Sequence, residues 1–181
     1  MRCVLLPASM FALLALATPA FAGGVANGSF ERPAGAAAIP GWTARGAVAL
    51  RLARHDGFDA PNGDRVVRFG ARRQGGSLAQ PLATTPGQAY ELVFWLGSKA
   101  NRHGRGHAAL RVSLGAAEHA VEIDNAQRET LWQAHVVAFT ASDSVTALAI
   151  ASAPQRGDVP AYVDDVALRP AALALAGAAR R

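Results

Sequence analysis

The sequence is a succession of short segments in which apolar and polar residues alternate, with turn-forming residues between them. The segments recur at roughly 8- to 12-residue spacing, which is typical of the strands of sandwiches and barrels. We count about nine or ten of them, and no segment before the alanine-rich tail has the periodicity of an amphipathic helix. The pattern therefore predicts an all-β sandwich or barrel rather than an alternation of strands and helices.

The segment Ala161–Leu168, near the end of the chain, indicates how such a sandwich closes. It carries two adjacent carboxylates, Asp164 and Asp165, in an otherwise apolar strand. Because side chains alternate along a strand, one of the two must point to the apolar side of its sheet. A buried carboxylate needs a hydrogen-bond partner, an opposite charge or a metal ion. We expect that partner in Asn27–Glu31, so that the first and last strands lie together.

The first 22 residues have the parts of a secretory signal peptide. Arg2 precedes the apolar run Val4–Leu16, and Ala20-Phe21-Ala22 has the small-residue pattern of a cleavage site. The apolar run is shorter than the roughly 20 residues of a membrane-spanning helix. We therefore predict that residues 1–22 are a signal peptide and that the protein is secreted to the periplasm, the cell surface or the medium. An uncleaved anchor helix is the alternative.

Residues 23–169 contain no linker or internal repeat and are predicted to form one domain with its own core. Residues 170–181 form an apolar tail that ends in two arginines and is too short to span a bilayer. The only cysteine, Cys3, lies in the predicted signal peptide. We therefore expect an exported domain without disulfides or thiolate metal ligands.

The basic residues are compatible with an acidic partner, and for any single arginine a solvated surface position is the alternative. The net charge is +5, and the 18 basic residues include a single lysine, Lys99. Arginine presents a planar fork that suits carboxylate, phosphate and sulfate groups. The arginines are scattered, and no basic helix interleaved with aromatic residues is present, which argues against nucleic acid as the partner.

A candidate sugar platform lies in Gln88–Leu96, the clearest predicted strand. Its alternation assigns Tyr90, Leu92, Phe94 and Leu96 to the core and leaves Glu91 and Trp95 on the other face. Sugar binding needs an aromatic surface with polar groups at its rim. We predict that Trp95 is that surface, unless it is packed under a loop, and that Trp42 and Trp132 belong to the core. The other predicted ligand-binding residues are Glu91, Arg111, Gln80, and Arg102 and Arg105 of the following loop, with Arg111 and Gln80 expected to share the face of Trp95.

No catalytic constellation is evident. The sequence has no Gly-x-Ser-x-Gly elbow, and its five histidines lie in different predicted elements. Glycosidase chemistry needs two carboxylates that face each other across a cleft, and nothing in the sequence singles out such a pair. We therefore predict a protein that is not an enzyme.

Several short motifs, taken in order, resemble those of a known family. They are Asn27-Gly28-Ser29-Phe30-Glu31, Pro40-Gly41-Trp42, Gly76-Ser77-Leu78-Ala79-Gln80, Pro86 to Phe94, Trp132 with Phe139-Thr140-Ala141, and Val163-Asp164-Asp165-Val166. Together they resemble the bacterial choice-of-anchor C family and its plant relatives, the domain-of-unknown-function family 642. The resemblance implies a galactose-binding-like jelly-roll β-sandwich over most of the chain. The tail lacks the Pro-Glu-Pro sorting signal of many choice-of-anchor proteins.

The resemblance also implies a function and a metal. The implied function is non-catalytic binding of cell-envelope or matrix polysaccharide, and from the arginines we expect acidic polymers to be favoured. The implied metal is a structural calcium held by Glu31 and Asp164. The alternatives are that Glu31 pairs with an arginine while Asp164 accepts backbone amides, and that the domain is a structural cell-surface module that binds protein and has no sugar site.

Overall fold

The computed structural model describes residues 24–32, 38–70, 74–101, 103, 105–127, 129–152 and 159–171. These residues form ten strands and a one-turn helix. In chain order the elements are β1 (Thr43–Gly46), β2 (Val48–Leu52), α1 (Ala53–Asp56), β3 (Arg65–Phe69), β4 (Gly76–Ala83), β5 (Ala89–Lys99), β6 (Gly106–Leu114), β7 (Ala117–Asn125), β8 (Thr130–Thr140), β9 (Val145–Ser152) and β10 (Ala161–Pro170).

The strands form two five-stranded antiparallel sheets. Sheet A has the order β1-β4-β9-β6-β7, and sheet B has the order β2-β3-β10-β5-β8. One main hydrophobic core contains buried residues from both sheets. The predicted all-β jelly-roll sandwich is confirmed.

The alternation of side chains explains which face of each strand is buried. On β5, Tyr90, Leu92, Phe94 and Leu96 are all at most 1% exposed, as their spacing predicts. Trp42 also belongs to this core, where its ring packs against Phe30 at a centroid distance of 5.7 Å. The core positions predicted for β5 and for Trp42 are therefore confirmed.

The segment Asn27–Glu31 is not a strand, although the sequence predicts one. Residues 26–29 form a turn, in which Asn27 (φ 51°) and Phe30 (φ 59°) have left-handed backbones. The turn still meets the last strand as expected, because the Val166 N–H donates to the Gly28 carbonyl at 2.9 Å. A Cβ at Gly28 would lie 1.8 Å from the Val166 oxygen, so only glycine permits this approach.

Some predictions fall on residues outside the described ranges. They are the signal peptide at residues 1–22, most of the tail and Arg102. Within the described ranges, no helix is long and apolar enough to cross a membrane.

Candidate functional site

The predicted ligand-binding residues lie on two opposite faces of the sandwich. Trp95 and Glu91 are on the outer face of sheet B, because they belong to β5. Arg111 belongs to β6 and lies on the outer face of sheet A, between the buried Leu110 and Val112. The outer faces of two stacked sheets point in opposite directions. The prediction that Arg111 shares the face of Trp95 is therefore wrong.

The tryptophan face, as we name it, is the part of the outer face of sheet B around Trp95. Its three cross-strand rows, each written from β10 through β5 to β8, are Asp164–Trp95–Ala134, Ala167–Val93–Val136 and Arg169–Glu91–Ala138. Trp95 is half-buried, whereas Val136 is 54% exposed. Glu91 is paired with Arg169, whose Nε donates to its Oε2 at 2.8 Å. The face thus offers one aromatic surface with apolar neighbours and an ion pair at its far end.

A small second core borders the tryptophan face. Phe58 lies over Tyr162 and Trp132, with ring centroids 4.7 and 5.7 Å away. Gly97 of β5 lies between Tyr162 of β10 and Trp132 of β8. A Cβ at Gly97 would come within 2.6 Å of the Trp132 ring. Trp132 is therefore half-buried on the outside of sheet B, and its predicted place in the main core is wrong. Burial and the negative charge of the nearby Asp56 raise the pKa of Tyr162 to about 12.

The alanine groove, as we name it, is an open depression of about 460 Å³ on the outer face of sheet A. It crosses β1, β4 and β9 and is lined by Thr43, Arg45, Ser77, Ala79, Gln80, Pro81, Val145, Ala147 and Leu148. Its floor consists mainly of small side chains, because alanine and serine occupy most outward positions of β4 and β9. Arg45 is exposed at one wall and has no ion-pair partner within the described part of the chain.

Gln80 has a structural role and does not belong to the tryptophan face. It is 6% exposed, and its Oε1 accepts a hydrogen bond from the Ala26 N–H at 2.9 Å while its Nε2 donates to the Ala26 carbonyl. Since β4 is in sheet A, its predicted place beside Trp95 is wrong. The amide instead fixes the N-terminal segment to the end of the alanine groove.

The other two predicted arginines that the structure describes, Arg105 and Arg111, lie near β6. Arg111 Nη1 donates to Glu118 Oε2 at 2.9 Å, and both side chains are largely exposed. Arg105 lines a smaller depression of about 290 Å³ together with His107, Asp124 and Asn125. His107 Nδ1 lies 2.8 Å from Asp124 Oδ1. Of the predicted arginines that are described, neither is beside Trp95.

The structure brings the two predicted metal ligands together around residues 62–65. Asp164 is fully buried, and its carboxylate accepts the N–H groups of Asn62 at 2.8 Å and Asp165 at 2.7 Å. Glu31 Oε1 accepts the N–H groups of Asp64 and Arg65, and its Oε2 lies 3.3 Å from Arg65 Nη1. These contacts hold the loop before β3 against both ends of the domain.

The electrostatics of Asp164 bear on the calcium prediction. Burial raises the pKa of Asp164 to about 7 in spite of its two amide hydrogen bonds, and the negative charges of Asp165 and Glu31 add to the rise. Calcium takes about six to eight oxygen ligands. Within the described ranges, no group of three or more His, Cys, Asp or Glu side chains is placed to hold a metal. The hydrogen bonds are those of the alternative without metal, and calcium stays a prediction.

The fold places this chain in a class that includes carbohydrate-binding modules. TmCBM61, solved with β-1,4-galactotriose, is 21% identical over 80% of this chain and 95% of its own, with a TM-score of 0.52. The Stig cyclase Fisc from Fischerella sp. TAU is 19% identical over 82% of this chain and 97% of its own, with a TM-score of 0.58. At these identities the likeness establishes the fold alone.

The particular family follows from the sequence match. Residues 21–169 match the model of DUF642, described as a protein of unknown function. The chain therefore belongs to the DUF642 family. No match to a curated protein was found. The narrower relationship to choice-of-anchor C proteins stays a prediction.

Proposed function

We propose that this protein is an exported, non-catalytic module that binds polysaccharide of the cell envelope or matrix. The observation that carries the proposal is the alanine groove, which is open along its length and has a floor of small side chains. A polymer chain can approach such a floor closely, because most of the side chains on it are small. The fold shared with TmCBM61, a module solved with a galactose oligomer, supports the same proposal.

The groove also supports the preference for acidic polymers. Arg45, Ser77, Ala151 and Arg111 are neighbours in one row across β1, β4, β9 and β6. At a strand spacing of about 4.8 Å, the backbones of the two arginines lie about 14 Å apart with small residues between them. Guanidinium groups pair bidentately with carboxylates. A polyuronate lying on this floor would meet Arg45 on one side and Arg111, which is paired with Glu118, on the other.

Trp95 offers a second binding surface on the opposite face. Its half-exposed ring can stack on a sugar, with Glu91 and Arg169 as polar groups about 13 Å along the strand. The two faces predict different ligand preferences. Stacking is indifferent to charge, whereas the arginines of the groove favour acidic polymers and should lose that advantage in salt.

The proposal is tested by affinity electrophoresis in gels that contain polygalacturonate or neutral β-1,4-galactan, at low and high salt. We expect retardation by polygalacturonate at low salt, and we expect Arg45→Ala to weaken it about threefold, the scale of an exposed charge pair. Arg54→Ala, which removes an equal charge from α1 on the other side, is the matched control. Failure to bind any polymer would favour the protein-binding module, and release of oligosaccharides would indicate an enzyme.

A further inference from the structure

The free edges of the two sheets differ in how well they are protected. Natural edge strands avoid pairing with other chains by being short, charged, bulged or covered. β1 and β2 have four and five residues and each contains an arginine. β7 carries three acidic residues along its nine positions. Three of the four edges therefore have an evident means of protection.

The fourth edge, β8, has none of these protections. It is eleven residues long and contains no Asp, Glu, Lys, Arg, Pro or Gly. It pairs with β5 in continuous register over its whole length, without a bulge. Among the described residues no strand lies on its other side. A long, regular, uncharged edge presents unpaired N–H and C=O groups to any strand that can reach it.

The side chains at this edge are compatible with close approach. Val136 is one of only two large apolar side chains among the described residues that are clearly exposed; the other is Val145 of β9. Ala134 and Ala138, two positions either side of Val136 on the same face, are small and exposed. The edge therefore continues the apolar surface of the tryptophan face outward to the limit of sheet B.

We propose that β8 is a dimerisation edge, on which β8 of a second copy of this chain pairs in antiparallel orientation about a two-fold axis at Val136. Such an axis places Val136 beside its own copy and Ala134 beside Ala138. No like charges meet, because the strand has no charged residue. Sheet B becomes one ten-stranded sheet across the dimer, and main-chain hydrogen bonds supply the attraction, as in other cases of strand addition.

A second copy fits this edge because the outward positions around the axis, Ala134, Val136 and Ala138, are all small or apolar and uncharged. On the inward face the axis pairs His135 with Val137 and Gln133 with Phe139, and farther out on the outward face it pairs Trp132 with Thr140. A partner strand with acidic or bulky residues at these positions would gain the same backbone bonds but lose this match. The Trp95 rings of the two copies would lie on one continuous face.

Sedimentation equilibrium over a range of concentrations tests the proposal directly. We expect the wild-type protein to dimerise reversibly, and we expect Val136→Lys to raise the dissociation constant at least about tenfold by placing two like charges side by side. Val145→Lys is the matched control, since that valine is 57% exposed and lies on β9 of sheet A. A wild type that stays monomeric at several hundred micromolar, or a dimer that both variants weaken equally, would overturn the proposal.

A cross-linking experiment tests the register. Cys3 is the only cysteine in the sequence, so Val136→Cys in a Cys3→Ser background carries a single thiol. Opposed residues at a two-fold axis are within disulfide reach. Mild oxidation should give a covalent dimer from Val136→Cys and not from the corresponding Val145→Cys protein. Equal cross-linking of both proteins, or none of either, would contradict pairing at Val136.

Discussion

The alanine groove and the tryptophan face are built on the same scaffold and differ in almost every side chain that they expose. The groove has a floor of alanine and serine, and at its wall is Arg45, which has no ion-pair partner among the described residues. The tryptophan face has half-buried Trp95 and Val93, with exposed Val136 and a small aromatic core at its border. The first is suited to a polar polymer that lies flat, and the second to apolar contact. The comparison shows that the role of an outward-pointing residue depends on which strands lie beside its own, because the order of strands in the sheet decides which side chains are its neighbours.

The largest expected effect is on stability and belongs to sheet B, where Asp164 is buried beside the tryptophan face. Its folded-state pKa of about 7 lies above the ordinary value of 3.8 for an aspartate, so the folded protein holds this proton more tightly than the unfolded chain does. The contribution of protonated Asp164 to the free energy of unfolding is therefore fully present below about pH 4. It is lost as the pH rises to 7, a change of a few kcal/mol. Urea unfolding as a function of pH measures it.

Asp164→Asn is the control for that prediction, because it removes the titration. The free energy of unfolding of the variant should be lower than that of the wild type, since an oxygen that accepts a hydrogen bond is replaced by an NH2 group that donates. The decline in stability that Asp164 causes between pH 4 and pH 7 should be absent. An unchanged slope in the variant would show that other groups cause the pH dependence.

Calcium should alter the pH dependence of the free energy of unfolding if it binds between Glu31 and Asp164. A bound cation favours the ionised carboxylate, so the loss of stability with rising pH should disappear in excess calcium. At 100-fold excess over the dissociation constant, binding to the folded state alone adds about 2.7 kcal/mol. A melting temperature that neither calcium nor a chelator moves would contradict the metal.

The next prediction compares equivalent substitutions on the two faces. Gly97→Ala places a Cβ 2.6 Å from the Trp132 ring and should lower the free energy of unfolding by about 1–3 kcal/mol, as overpacking does. Ala149→Leu, in sheet A between Ala79 and Ser113, fills the floor next to the groove. It should leave stability nearly unchanged and weaken polymer binding. Thermal melts and affinity gels on both variants make the comparison, which fails if the two variants behave alike.

The smallest expected effect is that of Trp95→Ala on sugar binding. Loss of an aromatic contact is worth about 0.5–1.5 kcal/mol, or roughly two- to tenfold in affinity. The loss should be equal for neutral and acidic polymers and insensitive to salt, in contrast to that of Arg45→Ala. Titration calorimetry with soluble fragments of both polymers measures it. If Trp95→Ala binds as the wild type does, the groove alone accounts for binding.

The alternation of apolar and polar residues was sufficient to predict which side chains of a strand are buried. The alternation in β5 identifies which of its residues are buried, and the acidic pair in β10 indicates contact with the other end of the chain. Arg111 and Gln80 were misplaced because alternation tells whether a residue points outward, not which sheet its strand joins. That choice depends on long-range pairing, such as β6 with β9.

The other errors have equally specific causes. Asn27–Glu31 resembles a strand in composition, but left-handed residues at Asn27 and Phe30 turn it, and composition gives little sign of them. Trp132 was assigned to the core because large aromatics usually are buried, and Gly97 opposite it is the one signal that a ring lies on the outer face. The wall residue Arg45 was missed because β1 is only four residues long and its burial pattern does not alternate.

The contact between the Gly28 turn and β10 also sets a limit on when the domain can fold. The hydrogen bond from Val166 to Gly28, and the carboxylates that hold the loop before β3, join residues from the two ends of the domain. β10 also lies between β3 and β5 in the middle of sheet B, so that sheet has a gap until the last strand arrives. During synthesis the growing chain therefore has no complete fold to adopt. The complete sandwich therefore forms only once β10 has been synthesised and can pair with β3 and β5.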